Sequence, residues 1–263
     1  ASTGSCAGGA AGGEESSAAI GASLLPASLS EFMLEPGLCY LNTGTLGPLP
    51  RCVMGAIAAE LQRIGANPLG AYFGSARAPL PATERMDAVR QQVATFVGCA
   101  VDELCLMPST TVALNTVATG LIDSGYLRAH HTVLQTDQEH PGGEACWRHL
   151  VAIGTLASID RVTIPAVPKS ADEIMARFEA AVQPSTRIIC VSHVLTTSGT
   201  VLPLERLASL AHANDALLLV DGAHAPGSLA VSLHDTGADI YTVSAHKWML
   251  APPGSGLVYI RKD

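Results

Sequence analysis

Two short stretches gather most of the reactive side chains, Val220-Asp221-Gly222-Ala223-His224 and Ser244-Ala245-His246-Lys247-Trp248. The first follows the apolar run Leu217 to Val220 and the second follows Ile240 to Val243, so each reads as the C-terminal end of a buried strand. Open α/β sheets bind ligands at that edge. One strand end delivers a carboxylate; the other delivers a hydroxyl, an imidazole and a primary amine, in a chain that is only 14% charged. An amine whose pKa is lowered by its surroundings forms Schiff bases with carbonyl compounds. A lone loop lysine is ordinarily a solvated cation. Here the Ser-x-His step before Lys247, Asp221 lying 26 residues upstream (247 minus 221) and Gly254-Ser255-Gly256 close behind point to a built site.

VDGAHAPG followed by SAHKW resembles the cofactor-binding core of class V aminotransferase-type enzymes. This fold-type I pyridoxal-phosphate group includes cysteine desulfurases, isopenicillin N epimerase-like proteins and related C-S lyases. The resemblance extends from about Tyr40 to the last residue and rests on separated motifs in the family's order. It implies pyridoxal 5'-phosphate as cofactor, carried by Lys247 as a Schiff base, with Asp221 paired to the pyridine nitrogen and Ala223 beneath the ring. By the same resemblance His224 approaches the phenolic oxygen, and Ser244 and His246 hold the phosphate. An anion suits the ring nitrogen because the protonated ring is the electron sink of this chemistry.

The elements that must position these groups are legible upstream. Glu103 to Met107 reads as a short strand, and Pro108-Ser109-Thr110-Thr111 leads into an apolar helix whose free N–H groups suit a phosphate. Ser or Thr there is ordinarily an N-cap; the resemblance assigns Ser109, Thr110 and Thr111 to the cofactor phosphate. His131 to Thr136 is the next expected strand, ending at Asp137-Gln138-Glu139-His140-Pro141. His140 matches the position that stacks on the ring face opposite Ala223 and serves in proton transfer, while Trp147 on the following helix reads as packing.

Ile159 to Pro165 and Arg187 to Ser192 are further expected strands, separated by a helix opening at Ser170 that carries Ile174, Phe178 and Val182 on one face. Thr196 stands where cysteine desulfurases commonly carry an Asn that contacts the cofactor, which favours the epimerase-like or lyase-like branch. Gly256 to Ile260 reads as the last strand, antiparallel by the resemblance. The fold class expected is therefore α/β, the fold-type I large domain, with a mostly parallel sheet of about seven strands and helices on both faces. No G-x-G-x-x-G follows a strand, so a dinucleotide fold has little support.

Toward the N-terminus, residues 1–28 are Ala, Gly and Ser with two glutamates, too poor in large side chains to build a core, and read as a flexible leader. Residues 29–75 read as an N-terminal segment at the active-site mouth and 76–263 as the pyridoxal-phosphate domain. Within the former, Tyr40 to Pro48 is a Gly/Pro-rich loop, and the resemblance makes Asn42, Thr43 and Gly44 substrate-side candidates. Helices are expected from Arg51 to Ile64, broken at Asn67-Pro68, and from Thr83 to Val97, stopped by Gly98. Family members continue into a smaller α/β domain that supplies the arginine for the substrate carboxylate; none of it follows Asp263.

The 263 residues are 48% hydrophobic, with a mean hydropathy of +0.31, enough for one large core. A net charge of -8 argues against a nucleic-acid surface, and no apolar run approaches the ~18 to 20 residues of a membrane span. Seven cysteines without a C-x-x-C pair fit reduced thiols, hence a cytoplasmic protein, with a partly lost organellar leader compatible with the N-terminal composition. His224 and His246 lack a carboxylate or thiol neighbour at ligand spacing, so no metal site is expected. The function classes left are an enzyme acting on an amino acid or a sulfur-containing derivative, working as a homodimer when full length, and a non-catalytic cofactor-binding remnant or partner subunit. Epimerisation, C-S lysis, transamination and cysteine desulfuration all share the Lys247 chemistry.

Overall fold

Strands β2 (Thr132–Thr136), β4 (Thr186–Ser192), β5 (Leu217–Asp221) and β6 (Ile240–Ser244) are buried at nearly every residue rather than alternately, the mark of a sheet covered on both faces. The structure, a computed structural model, describes residues 29–76 and 79–262, so the stretch 1–28 lies outside the described residues. With β1 (Leu104–Met107), β3 (Ser158–Val162) and β7 (Gly256–Ile260) the strands form one seven-stranded sheet in the order β1-β7-β6-β5-β4-β2-β3. Only the contacts of β7 with β6 and with β1 are antiparallel.

Alternate strand residues feed two cores. Ile189, Val191, Leu218 and Val220 pack against α3 (Ala82–Val97), α6 (Ala171–Ala181) and α7 (Leu204–Ala213). Ile188, Cys190 and Leu219 pack on the other face against α4 (Thr110–Asp123) and α5 (Pro141–Ala152), where Trp147 is fully buried, as its packing role requires. The chain steps outward from β2 to β3 and returns to β4 on the far side of β2, so strand order reverses between β2 and β4. That reversal opens a crevice at the strands' C-terminal ends.

Three local readings differ from the sequence expectation. β3 stops at Val162 instead of reaching Pro165, because the Ile164 N–H is taken by the Asp137 carboxylate and proline has no N–H to continue a ladder. Asn67-Pro68 ends α1 (Arg51–Ala66) and at once starts α2 (Pro68–Phe73): Asn67 accepts the Gly70 N–H and Pro68 takes the first helical turn. α7 was not anticipated either. Helix α1 has no buried residue, and Leu61, Leu69, Tyr72, Phe73, Met86 and Phe96 stand exposed on α1 to α3.

Gly222 shows how tightly the strand ends are packed. A Cβ there would lie 1.9 Å from the ring of Tyr241, which is fully buried and shares a hydrogen bond with His193 Nδ1 at 2.7 Å. The ring has nowhere to go, so Gly222→Ala is expected to lower stability by about 2 kcal/mol or more through overpacking. Gly55, exposed within α1 with nothing near its Cβ position, is the control: Gly55→Ala should raise stability by about 0.5 to 1 kcal/mol. Urea midpoints of the two variants moving in the same direction would refute this account.

Candidate active site

Loops from six parts of the chain meet at the C-terminal edge of the sheet around a cavity of about 280 Å³. Ser109, Thr110 and Thr111 enter from the start of α4, His140 from the start of α5, Thr196 from beyond β4, Asp221, Ala223 and His224 from β5, and Ser244, His246 and Lys247 from β6. Every cofactor-side residue expected from the sequence thus lines one cavity. Gly44 lines it too, whereas Asn42 and Thr43 do not. Asn42 instead accepts the Thr45 hydroxyl and shapes the turn that delivers Gly44 and Thr45.

This N-terminal loop is pressed onto the lysine turn. Gly47 N–H donates to the His246 carbonyl at 2.8 Å, and a Cβ on Gly47 would lie 2.1 Å from the Lys247 carbonyl. Gly44 likewise sits against the His224 ring, where a Cβ would come within 3.0 Å. Both glycines are there because backbone must approach backbone or ring this closely.

Lys247 Nζ lies 3.3 Å from His224 Nε2, and the other ring nitrogen of His224 accepts the Trp248 indole N–H at 3.2 Å. Burial lowers the Lys247 pKa, opposed by the Asp221 charge. Burial, with Lys247 and His140 adding to it, holds His224 down at about 4, so its imidazole is neutral at physiological pH. The amine is therefore poised toward its nucleophilic form.

Asp221 accepts the Ala223 N–H on Oδ1 at 2.9 Å, while Oδ2 faces Gly143 across the cavity wall. Burial pushes its carboxyl up; the Ala223 N–H, Lys247 and His140 only partly offset that. A cation next to Oδ2 would restore the ionised form. Behind it lies Glu139, which sequence reasoning passed over. Its carboxylate bridges the crevice, accepting the Thr136 hydroxyl at 2.6 Å from β2 and the Ser192 N–H and hydroxyl at 2.9 and 2.6 Å from β4. Its place directly after a buried strand was the available signal.

Burial raises Glu139 to about 7, with the Asp221 charge adding to the rise and the Ser192 and Thr136 donors opposing it. A folded-state pKa above the unfolded value means the native state holds its proton longer, so this group's contribution is complete at acid pH and declines as pH rises from about 4.5 toward 7. Glu139→Gln should remove that decline. The stability difference between wild type and variant is then expected to change by on the order of 3 kcal/mol between pH 4.5 and 7, read from urea unfolding at both pH values. Parallel pH dependences would show that Glu139 does not titrate in this range.

The first turn of α4 is tied to the lysine turn by Ser244, whose hydroxyl accepts the Thr110 N–H and donates to the Thr110 hydroxyl, both at 3.1 Å. Ser109 caps the helix by accepting the Val112 N–H. His140 caps α5 in the same manner, accepting the Gly142 N–H at 3.0 Å. His246 Nδ1 is buried against this corner with no partner among the described residues. A helix N-terminus beside an unpartnered imidazole nitrogen suits a phosphate, so the donor set fits pyridoxal phosphate at both ends. Among the described residues, no group of three or more His, Cys, Asp or Glu side chains could hold a metal ion, and six cysteines are free thiols. No helix among the described residues is long and apolar enough to cross a membrane.

An α/β domain with a half-buried lysine facing a buried carboxylate across the strand ends defines a class, and comparison with known proteins gives it a family. The family model described as Aminotransferase class-V matches residues 39–263, and the chain belongs to that family. It is 33% identical over 228 residues to the isopenicillin N epimerase of Streptomyces clavuligerus and 32% identical over 231 residues to a cysteine desulfurase of Klebsiella pneumoniae. Those matches cover 87% and 86% of this chain but 54% of each relative, so the chain spans about half the length of the curated proteins it resembles. Among solved structures, a C-DES mutant with glycine covalently linked to its pyridoxal-phosphate cofactor superposes with a TM-score of 0.79 at 25% identity, covering 90% of this chain and 60% of that one. A cystine C-S lyase complex with cysteine persulfide gives 0.74 at 27%, covering 85% and 57%.

Proposed function

We propose that this chain is the cofactor-holding part of a pyridoxal-phosphate-dependent enzyme that acts on an amino acid or a sulfur-containing amino-acid derivative. The observation that carries the reading is the single cavity in which the Lys247 amine, the Asp221 carboxylate and the α4 N-terminus face one another. Pyridoxal phosphate, when bound, supplies an electrophilic aldehyde and an electron-withdrawing ring.

The chain's own residues would do the rest. Ser109, Thr110, Thr111, Ser244 and His246 hold the phosphate, and Asp221 Oδ2 holds the proton on the ring nitrogen. Ala223 and His140 would flank the ring, and Thr196 and His224 would offer it polar contacts, since all four line the cavity. Lys247 would provide the amine that attaches the cofactor and the base that takes the proton from the substrate's α-carbon. Substrate binding involves Gly44 and Thr45, with Asn42 and Thr43 setting their loop.

Thr196, at the position where desulfurases carry Asn, favours an epimerase-like or lyase-like outcome over desulfuration. Exposed apolar side chains on α1 to α3 support assembly as a homodimer, and the free thiols support a cytoplasmic setting. The test is direct: the chain is incubated with pyridoxal phosphate, reduced with borohydride and mapped by mass. One cofactor fixed at Lys247, with Lys169 and Lys262 unmodified, is the expected result. Equal modification of all three lysines would refute a built site.

A further inference from the structure

The Lys247 turn contains a side chain that the mechanism has not used. Trp248 directs its indole N–H at His224 Nδ1, 3.2 Å away, and His224 Nε2 in turn lies 3.3 Å from Lys247 Nζ. Indole nitrogen can only donate. His224 Nδ1 must therefore be the accepting nitrogen, and in a neutral imidazole the single proton then sits on Nε2. An Nε2–H at hydrogen-bond distance needs a lone pair in front of it. A neutral Lys247 amine has one, and an ammonium has none. For an ammonium to be accepted, the imidazole would have to turn to its other tautomer, which would set an Nδ1–H against the indole N–H.

We propose that Trp248 is a positioning residue for Lys247: by fixing the tautomer of His224 it aims Nε2–H at the amine and holds Lys247 unprotonated, ready for a carbonyl carbon. The packing keeps the three in line. Gly44 lies against the His224 ring, where a Cβ would make a tight contact at 3.0 Å, and Gly227 lies against the Trp248 backbone, where a Cβ would come within 2.4 Å of the carbonyl oxygen. The other ionisable groups facing this chain of contacts are Asp221 at the end of β5, which favours the ammonium, and His140 ahead of α5, which opposes charge on His224. His246 lines the same cavity from the lysine turn. The inference draws its purpose from the proposed cofactor chemistry but concerns the cofactor-free protein, so the two can fail separately.

The experiment is trace acetylation of the cofactor-free chain with acetic anhydride across a pH series, with Lys247 and the exposed Lys169 read from the same digest. Lys247 should become reactive at a lower pH midpoint than Lys169, because burial disfavours its ammonium form. Trp248→Phe keeps a ring and removes the donor, and is expected to raise the Lys247 midpoint by about one unit, a tenfold loss of reactivity below it. In a His224→Gln background, where no tautomer remains to be fixed, the same tryptophan change should move nothing. An unchanged midpoint in Trp248→Phe, or an equal shift with and without His224, overturns the proposal. Should the tryptophan variant fail to fold, the ¹⁵N shifts of the wild-type His224 ring decide: a protonated Nδ1 overturns it, and a protonated Nε2 upholds it. A wild-type chain with the low midpoint and no borohydride-fixed adduct would sink the cofactor reading and leave this one standing.

Discussion

Lys247→Ala is expected to abolish the borohydride-fixed adduct with pyridoxal phosphate while leaving the fold intact. The side chain is half-buried, its packing partners are the His224 ring and the cavity itself, and removing it opens space toward solvent rather than a void in either core. Noncovalent binding should persist in weakened form, because the α4 N-terminus, Ser244 and His246 are untouched. Intact mass after reduction, with circular dichroism as the check on folding, reads the result. A variant that still carries one reduced cofactor per chain would mean that another amine does the work assigned to Lys247.

Asp221→Asn should have the largest effect on turnover. Asparagine keeps the shape and can still accept the Ala223 N–H, but it brings no charge to hold a proton on a ring nitrogen. If the proposed enzyme activity holds, turnover of an amino-acid substrate is expected to fall by at least about a hundredfold, the scale on which loss of one preorganised electrostatic group acts, with cofactor still bound. A loss of less than about threefold would show that the ring nitrogen is satisfied by something other than Asp221. The same substitution lifts the like-charge interaction on Glu139, so the Glu139 titration should move down toward the ordinary carboxylate range in this variant. That second readout does not depend on catalysis.

The strand ends were legible in the sequence because a buried parallel strand announces itself: apolar runs such as Leu217 to Val220 and Ile240 to Val243 stop abruptly at Asp221 and Ser244. Cofactor-side residues followed, since the motif order matched a family and all of them line one cavity. What sequence could not give were relations across the sheet. Glu139 looks like one more loop carboxylate until β2 and β4 are seen to be neighbours, with Ser192 supplying two of its donors. Trp248 looked like the end of a motif until its indole was found against His224. Asn42, read as a substrate candidate, is held by a local bond to Thr45 that a sequence does not display.

The order of the strands bears on how this chain is made. Of the seven described strands β1 is the first to leave the ribosome, yet its one partner among them is β7, the latest of the seven, with Leu104 opposite Tyr259. Until β7 has been synthesised β1 has no described strand to pair with, although Ser244 at the end of β6 can already hold the first turn of α4. Pairing over so long a loop is slow. The anion-binding turn and the lysine turn, joined through Ser244, are therefore locked in register only when β7 pairs with both β1 and β6 and Gly256 packs against Ser109, and a nascent chain stopped short of Gly256 should hold the cofactor less tightly even though Lys247 is already present.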